Sequence, residues 1–303
     1  MSKPSQTPTY TRREALKTTG LALLAGSSLL PAIRMKLHGF VRRLTFFVVL
    51  SSASALEIDI RSRGAVPDGQ TISTVAIQTA INDAAAAGGG TVVIEGGVFV
   101  SGTIELRSNV TLHVGPKATL KASGRLEDFP PLLPKEITAT QVESGDGPLS
   151  GLLCAQNQRN IAITGSGIID GNGSAFPKGE GGKKRRPRTV ALIRCRDVRI
   201  EDVTTRHSAT WTHHYLQCQD VAVRNITIHS TLPDRTNDGF DIEECHRVHI
   251  SGSTIIADDD AIVLKSRMTS THGTRDILIE NCRVFGRKSA VKIGTETFGP
   301  IEN

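Results

Sequence analysis

The chain has 303 residues, of which 36 are Lys or Arg and 30 are Asp or Glu, for a formal net charge of +6. Eight of these bases and one of these acids lie in residues 1–55, which leaves 28 bases and 29 acids for the rest. A basic excess confined to one end is typical of a tail or a targeting segment, so the composition excludes a strongly basic nucleic-acid-binding domain.

The first 55 residues contain two consecutive segments with the order of export signals. Arg12-Arg13 precedes an apolar stretch, which is typical of a twin-arginine signal in residues 1–34. Residues 35–55 begin with a basic stretch, continue with an apolar one and end in a small-residue cleavage site after Ala55. We therefore expect an exported protein, periplasmic or secreted, with a mature domain over 56–303 and no membrane attachment once the signal is removed. An unstructured basic tail is the alternative.

One helix is predicted near the start of the mature domain. Thr74 provides an N-cap, and Gly88-Gly89-Gly90 ends the helix. Small and aliphatic residues recur on one of its faces, at Ile77, Ala80, Ile81 and Ala84. We expect this short helix to cap one end of the domain.

After this helix the sequence consists of short strands that share a repeated motif. The motif has a polar residue, an aliphatic, any residue, another aliphatic, and then a polar residue with Gly, Asn or Asp. Five copies occur, at 160–165, 197–202, 220–225, 247–252 and 276–281. The last four begin 23, 27 and 29 residues apart, a period typical of solenoids.

The period-two alternation within each copy indicates strands, and strands in a solenoid bury their apolar faces by stacking coils. The sequence therefore predicts an all-β fold, a parallel β-helix. A β-sandwich is the alternative, but it requires hairpin turns such as Asn-Gly, which are scarce in this chain.

The five cysteines cannot all pair with one another, and they lack the C-x-x-C spacing of a zinc site. Four of them lie in or beside the repeating strands, at Cys195, Cys218, Cys245 and Cys282. We interpret them as small buried thiols stacked in the core.

Three carboxylates are the strongest candidates for chemistry. Asp238 and Asp259 are 21 residues apart, close to one coil, and Asp260 follows directly. Residues one coil apart lie about 4.8 Å from each other along a β-helix, so the three side chains can converge. Close carboxylates raise the proton affinity of one another, as a general acid requires, and two carboxyl groups suffice for glycoside hydrolysis. A calcium site or turn-forming Asp residues explain the spacing equally well.

At these residues the chain resembles polygalacturonases and rhamnogalacturonases, glycoside hydrolase family 28. The stretch from Asn237 to Asp241 is similar to the N-T-D-G signature, and 258–266 is similar to G-D-D-x-I-x-I-K-S. Further similar stretches follow in the family's order at 64–69, 88–92, 165–171, 186–187 and 208–211.

The resemblance implies a right-handed parallel β-helix that hydrolyses pectic polysaccharides, of galacturonan or rhamnogalacturonan type, with inversion and without metal or cofactor. It assigns Asp259 as the general acid, while Asp238 and Asp260 hold and deprotonate the attacking water. Inversion implies that acid and base stand roughly 6.5–9.5 Å apart. We also expect the protein to be a monomer.

The chain departs from the family pattern at three places. Thr236 occupies the position of the family's Asn before Asp238, and Ser289 occupies the position of its Gly-His-Gly histidine. The family's Arg-x-Lys would lie beyond Asn303. We therefore expect a member that is incomplete at its C-terminus and has weakened activity.

Two other functions fit the same pattern of repeats. A β-helical polysaccharide lyase would need a calcium cluster and a basic Arg, and a non-catalytic β-helix would bind glycans or serve as a structural spike. We expect Lys265 to orient the Asp pair. We further expect one of His213 and His214 to face the core and the other the groove.

Overall fold

The computed structural model of this chain describes residues 56–132, 149–177, 186–233, 235–266 and 273–303. The predicted export segments lie outside these ranges. Within them, no helix combines the length and hydropathy needed to cross a membrane.

The described part of the chain is built almost entirely of short strands. Its one α-helix, α1, spans Thr74–Ala86, and three 3-10 helices span Ile60–Arg63, Leu126–Asp128 and Gly173–Ala175. The strands in chain order are β1 Glu57–Asp59, β2 Asp68–Ile72, β3 Gly90–Ile94, β4 Gly97–Ser101, β5 Ile104–Glu105, β6 Val110–Val114, β7 Ala118–Ala122, β8 Gly151–Gln156, β9 Arg159–Thr164, β10 Ile168–Asp170, β11 Arg188–Ile193, β12 Arg196–Glu201, β13 Thr204–Arg206, β14 His213–Leu216, β15 Gln219–Arg224, β16 Thr227–Ser230, β17 Phe240–Glu243, β18 His246–Ser251, β19 Thr254–Ala257, β20 Asp260–Ser266, β21 Thr274–Glu280, β22 Arg283–Gly286, β23 Ser289–Thr297 and β24 Ile301–Glu302.

In the described ranges these strands form three sheets, and each strand pairs in parallel with the equivalent strand of the next coil. The nine-stranded sheet has the order β1-β3-β6-β9-β12-β15-β18-β21-β24, and the eight-stranded sheet β2-β4-β7-β10-β13-β16-β19-β22. The seven-stranded sheet has the order β23-β20-β17-β14-β11-β8-β5. The fold is a right-handed parallel β-helix, as predicted, the hand expected for parallel crossovers of L-residues. The β-sandwich alternative is wrong.

The five sequence repeats form consecutive strands of the nine-stranded sheet, β9, β12, β15, β18 and β21. Their aliphatic positions are in register, so that Val198, Val221 and Val248 stack in one buried column. The motif's first residue has a positive φ in all five copies, from 51° to 58°. Asn and Asp tolerate this left-handed conformation better than other non-glycine residues, which explains four of the five corners, and Arg247 is the exception.

Helix α1 covers the first coils, as expected, with Ile77 and Ile81 fully buried against the core. Its start differs from the prediction, because Ser73 is the N-cap and Thr74 is the first helical residue. The Thr74 hydroxyl instead accepts a hydrogen bond from the backbone N–H of Gly102 at 2.8 Å, which ties the helix to the next coil.

At the other end of the described stack, the inward-facing side chains of β23 have no coil above them. Val291 and Ile293 pair with Ile262 and Leu264 and are 56% and 67% exposed. Among the described residues the fully buried core reaches β20, and the partly buried Ile277, Ile279 and Val284 pack against it from the following coil.

The cysteines occupy the core as expected. Cys195, Cys218 and Cys245 are fully buried in successive coils, Cys282 is partly buried, and all are free thiols. Burial is the main cause that raises the pKa of the Cys218 thiol well above its usual value, and Cys245 adds to it, so this thiol is unreactive.

Candidate active site

The three predicted carboxylates meet where β17 and β20 begin. Asp238 lies two residues before β17, and Asp259 and Asp260 lie at the start of β20, which pairs with β17 in parallel. One carboxylate oxygen from each residue lies within 4.8 Å of the others. All three residues are buried, and the backbone N–H of Asp260 donates to Asp238 Oδ1 at 3.1 Å. The structure thus brings together all three residues named from the sequence.

Two lysines from the following coil contact this cluster. Lys288 Nζ lies 3.0 Å from Asp259 Oδ2, and Lys292 Nζ lies 2.7 Å from Asp260 Oδ2. The sequence analysis missed both lysines. The spacing in the sequence could have indicated them, because Lys288 and Lys292 follow the Asp pair by about one coil. Lys292 also follows the inward-facing Val291 in the strand, so its side chain is expected on the outer face.

Ser289 occupies the position where the family pattern has histidine. It is the register partner of Asp260, and its hydroxyl donates a hydrogen bond to Asp260 Oδ1. The substitution therefore replaces a titratable ring with a neutral donor. Positive charge in contact with Asp259 and Asp260 comes from Lys288 and Lys292.

Asp238 has the most perturbed environment of the three carboxyl groups. Burial is the main cause that raises its pKa well above the usual range, and the nearby charges of Asp241 and Asp259 add to it. Lys265 and the N–H of Asp260 act in the opposite direction but do not prevent the shift. Asp238 therefore holds a proton to higher pH than an ordinary Asp, as a group in an acid–base site must.

The nearest oxygens of the three carboxylates lie within 4.8 Å of one another, a nearest-atom distance that is necessarily shorter than the roughly 6.5–9.5 Å between whole carboxyl groups of an inverting acid and base. The three carboxylates share one small site, because Asp259 and Asp260 are adjacent and Asp238 is a single coil away.

A buried network of charges adjoins the cluster on the outer face of the seven-stranded sheet. Lys265 Nζ lies 3.1 Å from Asp241 Oδ1 and 3.7 Å from the ring centroid of Trp211, while the Arg188 guanidinium lies 4.7 Å from the same centroid. The four residues are 5% exposed or less. We expected Lys265 to orient the Asp pair; its ammonium group forms an ion pair with Asp241 and lowers the pKa of Asp238 electrostatically.

The two histidines of β14 face opposite sides of the sheet, as expected. His213 points into the core, where it bonds the hydroxyl of Tyr215 at 2.8 Å and burial lowers its pKa to about 3. His214 points outward, with Nε2 at 2.9 Å from Glu243 Oε2 and its ring against Trp211. Both residues are nevertheless buried.

Thr236 has a strained backbone next to the site. Its φ is 48°, a left-handed conformation that is a genuine outlier for a β-branched residue. Its hydroxyl accepts from the Arg186 guanidinium at 3.0 Å and donates to the Arg235 carbonyl at 2.7 Å. Strain of this kind persists at functional sites when the surroundings enforce it.

Three clustered carboxylates are also able to ligate a metal ion. The lysine ammonium groups already neutralise Asp259 and Asp260 at 3.0 and 2.7 Å, and they repel a divalent cation. The donor set with its lysines therefore fits acid–base chemistry better than the calcium site considered above.

Comparison with known proteins shows the family of the chain. The profile of glycosyl hydrolases family 28 matches residues 92–287, which is well over half of the chain. A probable polygalacturonase of Vitis vinifera is 27% identical over 253 residues, covering 79% of this chain and 52% of the relative. An exo-poly-alpha-D-galacturonosidase of Dickeya chrysanthemi is 29% identical over 254 residues, covering 68% of this chain and 41% of the relative.

The fold is shared with the family 28 exopolygalacturonase of Yersinia enterocolitica, with a TM-score of 0.64 and 22% identity over 76% of this chain and 49% of that one. The chain thus spans about half the length of the curated relatives named above.

Proposed function

Because the chain belongs to glycosyl hydrolases family 28, we propose that residues 56–303 hydrolyse glycosidic bonds of pectic polysaccharides, of galacturonan or rhamnogalacturonan type. The cluster of Asp238, Asp259 and Asp260 within 4.8 Å carries this proposal. The polygalacturonase names of the relatives support the substrate class.

In the proposed mechanism Asp259 protonates the leaving oxygen, while Asp238 and Asp260 hold the attacking water and take its proton. The raised pKa of Asp238 favours a proton on that carboxyl group, while Lys288 forms an ion pair with Asp259. A general acid must carry a proton when it acts, so Asp259 needs a proton source. The short distances within the cluster support transfer from Asp238 through the bound water.

Lys288 couples this transfer to substrate binding in our proposal. Its side chain is 56% exposed, whereas Asp259 beneath it is 10% exposed, so the ammonium group is free to turn toward a sugar carboxylate. Its departure removes a positive charge from beside Asp259, and a carboxyl group without a neighbouring cation binds a proton more readily. An acidic sugar would thus activate the acid that cleaves it.

The decisive experiment measures reducing ends released from polygalacturonate and from rhamnogalacturonan, with and without a chelator. We expect release from at least one polymer, unaffected by the chelator, with Asp259→Asn as the inactive control. Products with an unsaturated, ultraviolet-absorbing end would indicate a lyase instead, and binding without release would indicate a glycan-binding protein. NMR of the first product's anomeric configuration tests inversion.

We also propose that the protein is exported, after which residues 1–55 are removed, and that it acts as a monomer. The two signal-like segments support export. Sequencing the N-terminus of the secreted protein tests it: Leu56 is expected as the first residue, and a secreted protein that retains Arg12 would contradict it. Light scattering tests the monomer.

A further inference from the structure

A groove lined by arginine and amide side chains lies where the seven-stranded sheet turns into the nine-stranded sheet. Its volume is about 410 Å³, and its basic residues are Arg159, Arg194 and Arg196. The groove follows the last residues of the strands of the seven-stranded sheet, whereas the carboxylate cluster lies where such strands begin. It is therefore separate from the proposed catalytic site.

Two of the arginines face each other across neighbouring coils. Arg159 and Arg196 are register partners in β9 and β12, both exposed, on strands about 4.8 Å apart. Like charges directly opposite each other destabilise a sheet. Across the described ranges neither arginine forms an ion pair. Asp220, whose pKa Arg196 lowers electrostatically, is bound by Arg247 at 2.6 Å, and Arg247 lowers that pKa more than Arg196 does.

The third arginine is held in place from the following coils. Arg194 Nε donates to Gln217 Oε1 at 2.8 Å, and Gln217 Nε2 donates to buried Glu244 Oε2 at 2.8 Å. Arg194 has a φ of 51° and Gln217 of 54°, conformations that long side chains rarely adopt. The same left-handed corner recurs at Asn157, so successive coils present their corner side chains to the groove.

We propose that this groove is a second binding site for an anionic polysaccharide, where the guanidinium groups hold carboxylates of a uronate segment away from the catalytic cluster. Guanidinium groups bind carboxylates in charge-assisted pairs, and an anion between Arg159 and Arg196 relieves their repulsion. The amides of Asn157 and Gln219 supply hydrogen bonds for sugar hydroxyls. The identity of the ligand rests on the proposed function.

Titration calorimetry with trigalacturonate, on protein made inactive by Asp259→Asn, tests this proposal. We expect two binding sites. In the same background, Arg159→Gln with Arg196→Gln should weaken one site at least tenfold and leave the other unchanged. The matched control is Arg199→Gln with Arg224→Gln, which removes the same charge from two arginines that pair with Glu201 outside the groove. The control should keep both sites.

Equal weakening by the two double variants would overturn the proposal, because the effect would then be one of net charge. An unchanged titration in the groove variant would also overturn it. Failure of the proposed function looks different: no reducing ends would be released from any pectic polymer, while the arginine-dependent site would still bind trigalacturonate. Hydrolysis together with a single, arginine-independent site would refute only the second site.

Discussion

The outer faces of the nine-stranded and seven-stranded sheets place similar ion pairs in opposite environments. On the nine-stranded sheet, Arg247 bonds Asp220 at 2.6 Å with side chains 51% and 43% exposed. On the seven-stranded sheet, Lys265 bonds Asp241 at 3.1 Å with side chains 6% and 0% exposed. The outer face of the nine-stranded sheet repeats a regular motif that is exposed to water. The outer face of the seven-stranded sheet carries buried charges, which lower the free energy of folding gained there but shift pKa values as catalysis requires.

The largest expected difference between these faces is in activity. Asp259→Asn should lower hydrolysis by about 10²- to 10⁴-fold, the range for loss of a general acid, with an unchanged circular dichroism spectrum. Asp220→Asn on the nine-stranded sheet is the control and should keep full activity. Comparable rates for the two variants would remove Asp259 from the mechanism.

The second difference is in stability. Lys265→Met should cost about 3–5 kcal/mol in free energy of unfolding, because it leaves a buried Asp241 carboxylate without this ammonium group. Arg247→Gln should cost at most about 1 kcal/mol, as exposed pairs do. Urea denaturation of both variants measures the contrast, and similar costs would show that burial does not separate the two sheets.

The third difference is in pH dependence. The folded state raises the pKa of Asp238, so it binds that proton more tightly than the unfolded chain does. Asp238 therefore lowers stability as pH rises above the ordinary Asp value toward the raised one. Asp238→Asn should abolish hydrolysis and yet melt at a higher temperature than wild type at neutral pH, with no such gain at strongly acidic pH. A variant less stable than wild type at neutral pH would contradict the shift.

The smallest expected difference concerns the residues with positive φ at the turns between strands. Thr236→Asn should stabilise the fold by about 1 kcal/mol, because Asn tolerates φ near 48° better than a β-branched residue does. The reverse change on the nine-stranded sheet, Asn225→Thr at φ 55°, should destabilise it by a similar amount. Thermal melts of the two variants should shift in opposite directions, and shifts of the same sign would refute the strain at Thr236.

The sequence predicted the nine-stranded sheet well because repetition there is a direct physical constraint. Each copy must place aliphatic residues in the same column and a tolerant residue at each corner, so the motif and the fold carry the same information. The convergence of Asp238 with Asp259 followed from the coil length in the same way. The repeated strands and the convergence of the carboxylates can both be predicted from the spacing of residues along the chain.

The partners of the carboxylates were harder to predict. Lys288 and Lys292 contact the cluster from the coil in which Ser289 replaces the expected histidine. The family pattern has the histidine as the conspicuous residue of this coil, so it did not predict the two lysines. The pairing of Lys265 with Asp241 depends on which side chains turn outward and become buried there. Burial of an outward face depends on the chain that covers it, which strand periodicity does not encode.

The parallel pairing of each strand with the equivalent strand of the next coil has a kinetic consequence. Contacts join residues about one coil apart, so the unit that forms or melts is a coil together with its neighbour. Folding can then propagate along the axis from any formed coil, and the coils beneath α1 offer a protected place to begin. Loss of order should likewise travel from coil to coil, so neighbouring coils should exchange their amide hydrogens in succession along the axis.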